Sequence, residues 1–135
     1  MTSHDRSGHH QLARDFLDAI AAGELPEHLV TDDMSAWTLT SGDTDKARFR
    51  GGVKVLASIF GGTLHYTVKA MTAEEDRVVA EVHSDGTLID GEAFHNVHVF
   101  TFRIRDGRIA WVGEYMNPVV VQERIVPLMM AAMAN

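Results

Sequence analysis

The chain has no cysteine among its 135 residues, so disulfide bonds, thiolate nucleophiles and thiolate metal sites are excluded. Long apolar runs are also missing. None approaches the ~20 residues that a membrane-spanning helix needs. Residues 1–11 are polar and lack the apolar core of a secretory signal. We therefore expect a cytoplasmic protein with no membrane partner.

Positive charge is scarce as well. The chain carries 12 Lys and Arg residues against 19 Asp and Glu residues, which leaves a formal net charge of −7. A negative balance disfavours non-specific binding to nucleic acid and to anionic membrane surfaces. We expect no nucleic-acid partner.

Motifs for metals, nucleotides and serine hydrolases are likewise missing. There is no HExxH motif, no glycine-rich phosphate loop with its lysine, and no GxSxG turn. His95 and His98 are three positions apart in a predicted strand, so their side chains point to opposite faces and cannot share one ion. We expect no metal site and no cofactor.

Helix patterns open the chain. Residues 1–9 are polar and predict a flexible N-terminus, whereas residues 10–135 fit a single domain. A stripe of apolar residues at helical spacing then runs as far as Gly23, a typical helix stop; it comprises Leu12, Phe16, Leu17 and Ile20. Further patterns predict a helical turn over residues 26–30, a polar loop over residues 41–50 and a second helix over residues 51–62, opened by the Gly51-Gly52 pair.

Strand patterns fill most of the remainder. The predicted strands are residues 34–39, 64–71, 77–84, 94–104 and 109–116. Asp106-Gly107 predicts a type I′ hairpin turn, because both positions tolerate positive φ. Helices first and strands afterwards indicate an α+β fold. Strands this long bend around the helices, which predicts a half-open cone with an apolar internal pocket.

Short motifs near the C-terminus occur in a characteristic order. Residues 91–100 read GEAFHNVHVF, residues 106–109 read DGRI and residues 114–117 read EYMN. In the order and spacing of these motifs, residues 10–121 resemble the SnoaL-like branch of the nuclear transport factor 2-like superfamily, which has a cystatin-like fold. The resemblance implies a cone-shaped α+β barrel, with N-terminal helices packed on a strongly curved mixed or antiparallel sheet around an internal pocket. It also implies a homodimer formed through the outer face of the sheet.

Members of this superfamily differ in chemistry, and include steroid isomerases, polyketide cyclases, epoxide hydrolases, dehydratases and non-catalytic binders. The catalytic positions of the steroid isomerases fall at Phe16, Thr38 and Phe100, where no side chain supplies the required acid or base. Of the five polar groups of the limonene-type epoxide hydrolases, only the acid at Glu114 is retained. The acid that ends the usual EY.D pattern is Asn117 here.

Alternation along the predicted strands selects the residues that would line the pocket. The resemblance places the even-numbered face of residues 94–104 inside the cone, and the corresponding face of residues 109–116 beside it. The positions of the sheet expected to face inward are Met34, Ala36, Thr38, Val82, Ser84, Asn96, His98, Phe100, Phe102, Ala110, Val112, Glu114 and Met116.

Glu114 and His98 are the candidate catalytic residues. An acid and a histidine in contact inside an apolar cavity can exchange a proton near neutral pH. The candidate ligand-binding residues are Asn96, Thr38, Ser84, Phe100, Val112, Met116 and Phe16. The structural alternative is that His98 is an ordinary core histidine and that Glu114 lies at the pocket rim; Tyr66 is interpreted as a packing residue.

Three functions stay open at this point. The first is a cofactor-free enzyme of the isomerase, cyclase, hydrolase or dehydratase type, acting on a small hydrophobic molecule. The second is a non-catalytic binder of an apolar ligand, and the third is an interaction module. Loss of the relatives' acids favours the last two, whereas the Glu114 and His98 pair favours the first. Outward apolar residues, Val97, Val99 and Trp111, predict a homodimer through the outer sheet face.

Overall fold

The structure is a computed structural model that describes residues 3–134, with side chains described from Arg6 onward. The chain begins with a helix and its last four strands follow one another, whereas the second main helix lies between the second and third strands and further helices end the chain. The elements are α1 (Ser3–Ala21), a 3-10 turn (Glu27–Leu29), β1 (Val30–Thr38), β2 (Gly42–Asp45), α2 (Lys46–Ile59), β3 (His65–Glu74), β4 (Arg77–Thr87), β5 (Ala93–Arg105) and β6 (Arg108–Met116). A C-terminal segment follows, with α3 (Pro118–Val120), a π-helical stretch (Val121–Ile125) and α4 (Val126–Met133).

The six strands form one mixed sheet in the order β2-β1-β6-β5-β4-β3. β1 runs parallel to β6, and all other neighbours are antiparallel. The sheet curls around the helices without closing, so β2 and β3 remain its edges. The predicted α+β class is confirmed.

The core lies between the helices and the concave face of the sheet. Buried and exposed residues alternate along β5, with the even-numbered face buried as predicted. Phe16 of α1 packs its ring edge on Phe102 of β5, with ring centroids 5.6 Å apart, and stacks on Phe49 of α2 at 6.1 Å. Burying one such ring contributes about 1.5–3 kcal/mol. Phe16 therefore links the first helix, the second helix and the sheet.

The prediction of a polar loop over residues 41–50 is wrong. Residues Gly42–Asp45 form β2, which pairs with β1, and α2 begins at Lys46, ahead of the Gly51-Gly52 pair. Asp45 caps the helix, because its side chain accepts a hydrogen bond from the Arg48 backbone N–H at 2.8 Å. The cap and the packing of Phe49 outweigh the low helix propensity of the two glycines.

One inward assignment on the last strand also fails. Ala110 was expected to face the core, but Ile109 is the fully buried residue there. The pairing shifts between Arg103 and Ile104, so that Trp111 and Ile109 oppose consecutive residues of β5 and Ala110 is the extra residue of a bulge. Beyond the bulge the predicted alternation resumes.

The ends of the chain add two observations. The predicted flexible segment, residues 1–9, begins outside the described residues, and its backbone from Ser3 onward is helical; its flexibility stays a prediction. No helix among residues 3–134 is both long and apolar enough to cross a membrane.

Gly23, just after α1, offers a test of the packing between the two main helices. Its φ is +84°, and a Cβ there would lie 2.8 Å from the Cβ of Ala57 in α2. Gly91 has a similar φ of +89° with open space around it. We expect Gly23→Ala to lower the free energy of unfolding by about 1–3 kcal/mol more than Gly91→Ala, because only the first adds overpacking to the cost of positive φ. Urea unfolding of both variants measures the difference, and equal losses would contradict the tight helix contact.

Candidate functional site

Three neighbouring strands bring Ser84, His98 and Glu114 together on the concave face of the sheet. Residue 84 lies on β4, residue 98 on β5 and residue 114 on β6. His98 Nε2 is 2.7 Å from Ser84 Oγ, and His98 Nδ1 is 2.8 Å from Glu114 Oε2. We call this arrangement the Ser84–His98–Glu114 chain.

Sheet register explains the diagonal course of this chain. His98 pairs with Val82 on one side and with Met116 on the other. Ser84 and Glu114 are each two residues away from those partners, so all three polar side chains point to the same face. The imidazole spans the gap between two strands that flank its own.

The three residues of the Ser84–His98–Glu114 chain differ in how far they are buried. Ser84 is 1% exposed, whereas the side chains of His98 and Glu114 are 7% and 21% exposed. Solvent therefore reaches the carboxylate most readily and the serine least. An incoming molecule would meet Glu114 first.

The hydrogen-bond partners also fix part of the proton arrangement. An ionised carboxylate can only accept hydrogen bonds. Nδ1 of His98 therefore carries a proton and donates a hydrogen bond to Glu114. When the imidazole is neutral, the Ser84 hydroxyl donates to Nε2. When the imidazole is protonated, Nε2–H donates to Ser84 Oγ instead. In either state of the ring, both ring nitrogens have a hydrogen-bond partner.

The Ser84–His98–Glu114 chain has the same three residue types as a serine-hydrolase triad. Its serine and its acid are exposed in the opposite order. In such triads the serine faces the substrate and the buried acid orients the histidine. Here the serine is buried and the acid is the accessible end. The geometry suits a carboxylate base or acid supported by histidine, and not a serine nucleophile.

Tyr66 adjoins this site, although the sequence interpretation assigned it to packing alone. It pairs with Ser84 across β3 and β4, and its ring stands edge-on to both His98 and Phe100, with centroids 5.7 Å apart in each case. Burial, and secondly the negative charge of Glu114, raise the pKa of the Tyr66 hydroxyl, so it stays protonated. Strand alternation on β3 was the signal that could have found it, once β3 is paired with β4.

The side chains of two predicted ligand-binding residues form hydrogen bonds with backbone groups. Asn96 Nδ2 donates to the Asn117 carbonyl at 3.3 Å, and its Oδ1 accepts from the Val97 N–H at 2.8 Å. Thr38 Oγ1 accepts from the Ser41 N–H at 2.9 Å. Both side chains are engaged in the ends of strands, which leaves them less capacity to hold a ligand.

Apolar side chains occupy the deep part of the cone. The predicted pocket residues Phe16, Phe100 and Val112 are almost completely buried, and Phe100 stacks between His98 at 5.5 Å and Phe102 at 6.2 Å. Met116 is only half-buried and pairs with His98. The open end of the inner face is therefore the end that carries Glu114.

Two surface depressions occur elsewhere on the described part of the molecule. One, of about 680 Å³, lies between the end of α1 and the middle of α2 and is distant from Glu114 in the fold. The other, of about 430 Å³, is lined mostly by outer-face residues around Val97 and Tyr115, and His98 and Met116 are also part of its lining. Residues 3–134 contain no group of three or more His, Asp or Glu side chains placed to hold a metal ion.

Residues 13–112 match the SnoaL-like domain family. This match covers well over half of the chain. The chain belongs to the SnoaL-like domain family. The resemblance deduced from the motifs is thus confirmed, and no curated protein matches the sequence.

Solved structures with this SnoaL-like fold are similar in shape and distant in sequence. A protein assigned as a SnoaL-like polyketide cyclase from Jannaschia sp. CCS1 is 15% identical, with a TM-score of 0.78 over 93% of this chain and 96% of that chain. An NTF2-like protein from Anabaena variabilis is 22% identical, with a TM-score of 0.72 over 82% and 87%. AclR from Streptomyces galilaeus, assigned as a hydroxylase, is 18% identical, with a TM-score of 0.75 over 91% and 96%. At these identities the comparisons show the fold alone.

Ser84→Ala tests the hydrogen bond at the buried end of the Ser84–His98–Glu114 chain. The change leaves His98 Nε2 without its partner in a site that water scarcely reaches, so we expect the free energy of unfolding to fall by about 1–3 kcal/mol. Ser41→Ala, at an exposed turn residue, should change it by no more than about 0.5 kcal/mol. Denaturant unfolding at pH 7 measures both, and an unaffected Ser84→Ala protein would show that the hydrogen bond to His98 contributes nothing.

Proposed function

We propose that this protein binds a small, largely apolar molecule at the open end of the cone and transfers a proton to or from it. Glu114 is the group that exchanges the proton, and His98 supports it through the 2.8 Å hydrogen bond. The observation that carries the proposal is the Ser84–His98–Glu114 chain, buried at its serine and accessible at its acid. The reaction belongs to the isomerase, cyclase, hydrolase or dehydratase range, and needs only the side chains of the protein.

The surroundings of Glu114 support this role. Phe100 and Met116 flank the site with apolar surface, and Phe100 pairs directly with Glu114 across β5 and β6. A bound molecule that covers the exposed part of this carboxylate would displace water from it, which strengthens the interaction between the two. The carboxylate can gain and lose a proton while His98 keeps its hydrogen bonds to Ser84 and Glu114. These are the properties that general acid–base catalysis requires.

A second candidate function is non-catalytic binding at the same place. The filling of the deep cone by Phe16, Phe100 and Phe102 favours it, because little depth remains to enclose a large substrate. Binding without proton transfer would leave Glu114 as a recognition group only. The two functions differ in one measurable property, namely exchange of a ligand proton with solvent.

Deuterium exchange tests the proposal. We expect the wild-type protein to catalyse incorporation of deuterium at the α-carbons of 2-tetralone in D2O, followed by NMR. Glu114→Gln, which keeps the shape and removes the base, should slow the catalysed exchange by about 10²–10⁴-fold. Glu81→Gln, an exposed acid on the outer face of β4, is the matched control and should leave the rate unchanged.

The outcomes separate the two functions. Full exchange activity in Glu114→Gln would refute the assignment of Glu114 as the base. Binding of 2-tetralone without any catalysed exchange would instead support the non-catalytic binder.

We also propose that a second copy of the chain covers the outer face of the sheet. Val97 and Val99 on β5 are 45% and 36% exposed, and Tyr115 stands beside them on β6 at 48%. Trp37 extends the apolar surface, since its ring lies 5.0 Å from that of Tyr115. Contiguous apolar surface of this kind marks interaction sites in soluble proteins.

Light scattering tests this homodimer. We expect a dimer for the wild type at micromolar concentration and a monomer for Val99→Asp, because a buried unpaired charge at the contact is costly. Val119→Asp, on the exposed C-terminal segment, should remain a dimer. A wild-type protein that is monomeric under these conditions would rule out the proposed contact.

A further inference from the structure

Histidine and acidic side chains collect at one end of the outer face of the sheet, away from the concave site. His83 and Asp85 lie on β4, and His95 lies on β5. The register pairs Asp85 with His95, and it pairs His83 with Val97. Because side chains alternate along a strand, the two histidines and the acid share the face opposite to that of Ser84. The proposed proton transfer uses none of them.

The two imidazole rings have the spacing of two ligands of one ion. The ring centroids of His83 and His95 are 5.2 Å apart, and the ring planes are inclined by 66°. Histidine nitrogens lie about 2.0–2.1 Å from a bound zinc ion, so two imidazoles on one tetrahedral ion have centroids about 5 Å apart. The strands therefore already hold the rings at the separation that a shared ion requires.

Asp85 fixes the proton arrangement of one of these rings. Its Oδ1 lies 2.9 Å from His95 Nδ1, and the ring N–H donates to the carboxylate. In the neutral ring this leaves Nε2 of His95 unprotonated, which is the state that binds a metal ion. Carboxylate, imidazole and metal occur in this order in many metal sites, because the carboxylate orients the ring and raises its basicity.

The second ring is available as a ligand. His83 is half-buried, and it has no hydrogen-bond partner in the part of the chain that the structure describes. Its ring nitrogens reach solvent. Glu81 precedes it by two residues on the same face of β4, and Asp85 follows it by two. These carboxylates make the surface around the rings negative, which attracts a cation.

We infer that His83 and His95 form a binding site for a divalent transition-metal ion of the Zn²⁺, Ni²⁺ or Cu²⁺ class. Imidazole suits these ions, whereas Mg²⁺ and Ca²⁺ prefer oxygen ligands. The two rings are the protein ligands, Asp85 positions His95, and water molecules complete the coordination. An ion held in this way joins β4 to β5 on the outer face.

This inference departs from the expectation drawn from the sequence. The expected absence of a metal site was based on motifs and on spacings within single segments, whereas this pair joins two strands. The inference is also independent of Glu114 and of the chemistry proposed for the concave face. An edge-to-face contact between two rings, without an ion, is the other explanation of the same geometry.

A Zn²⁺ titration followed by nitrogen-15 NMR of the histidine-labelled protein tests the site, because the method reports each ring separately. We expect the His83 and His95 signals of the wild type to shift together at pH 7, with one dissociation constant. Asp85→Asn should weaken this binding by about tenfold, and loss of a ligand in His83→Gln or His95→Gln should weaken it further. Zn²⁺ should also raise the Tm of the wild type but not that of His95→Gln.

His28→Gln and Glu74→Gln are the matched controls. His28 is an exposed histidine in the 3-10 turn, and Glu74 is an exposed acid at the far end of β3 from this site. Both variants should keep the wild-type dissociation constant. Thermal unfolding without metal checks that every variant is folded.

Each outcome of the titration decides the inference. A shared dissociation constant that depends on both histidines and on Asp85 supports the site. Separate dissociation constants for the two rings, or an unchanged affinity at His95 in His83→Gln, would overturn it and show two independent surface histidines. Absence of any shift at millimolar Zn²⁺ would overturn it as well and leave the edge-to-face contact as the explanation.

Discussion

The geometry of the site depends on one constraint, the register of β4, β5 and β6. Because side chains alternate along a strand, fixing His98 opposite Val82 and Met116 determines which residues share its face. A slip of one residue in either pairing would turn the imidazole, the serine or the acid to the opposite face. The hydrogen bonds from His98 to both neighbouring strands favour the same register, so the polar chain and the sheet support each other.

The order of burial follows from the same constraint. Ser84 lies in the buried part of the concave face, and Glu114 lies toward its more exposed end. A buried polar group is costly unless it is paired, and here each buried atom of the chain has a partner. The accessible carboxylate is the end at which chemistry with an external molecule can occur. The fold thus supplies a rigid, desolvated support for one reactive group.

Local sequence features predict the parts of this arrangement that depend on local structure. The alternation on β5 and the Asp106-Gly107 hairpin, where φ is +53° and +75°, are encoded within a few residues. Together with the family resemblance, which indicated the inner face of each strand, they placed His98 and Glu114 on one face. Ala110 was misplaced because a bulge depends on how two strands meet, which residues on one strand do not reveal.

Features that depend on distant contacts could not be predicted in this way. The position of Tyr66 beside the site requires the pairing of β3 with β4. The hydrogen bond from the Ser41 N–H to Thr38 is local, but it belongs to the turn into β2, a strand that residues 41–50 were not predicted to contain. The start of α2 at Lys46 likewise depends on its cap and on packing against α1. Family resemblance supplied the fold, but the polar groups of characterised relatives are mostly replaced here, so the site had to be derived from the residues present.

The hydrogen bonds of His98 in solution test the central claim most directly. Nitrogen-15 NMR of the histidine-labelled protein distinguishes protonated from unprotonated ring nitrogens. At a pH where the ring is neutral, we predict a proton on Nδ1, directed at Glu114, and an unprotonated Nε2 that accepts from Ser84. A His98 ring protonated on Nε2 instead, or one that exchanges rapidly between both forms, would contradict the Ser84–His98–Glu114 chain on which the proposed chemistry depends.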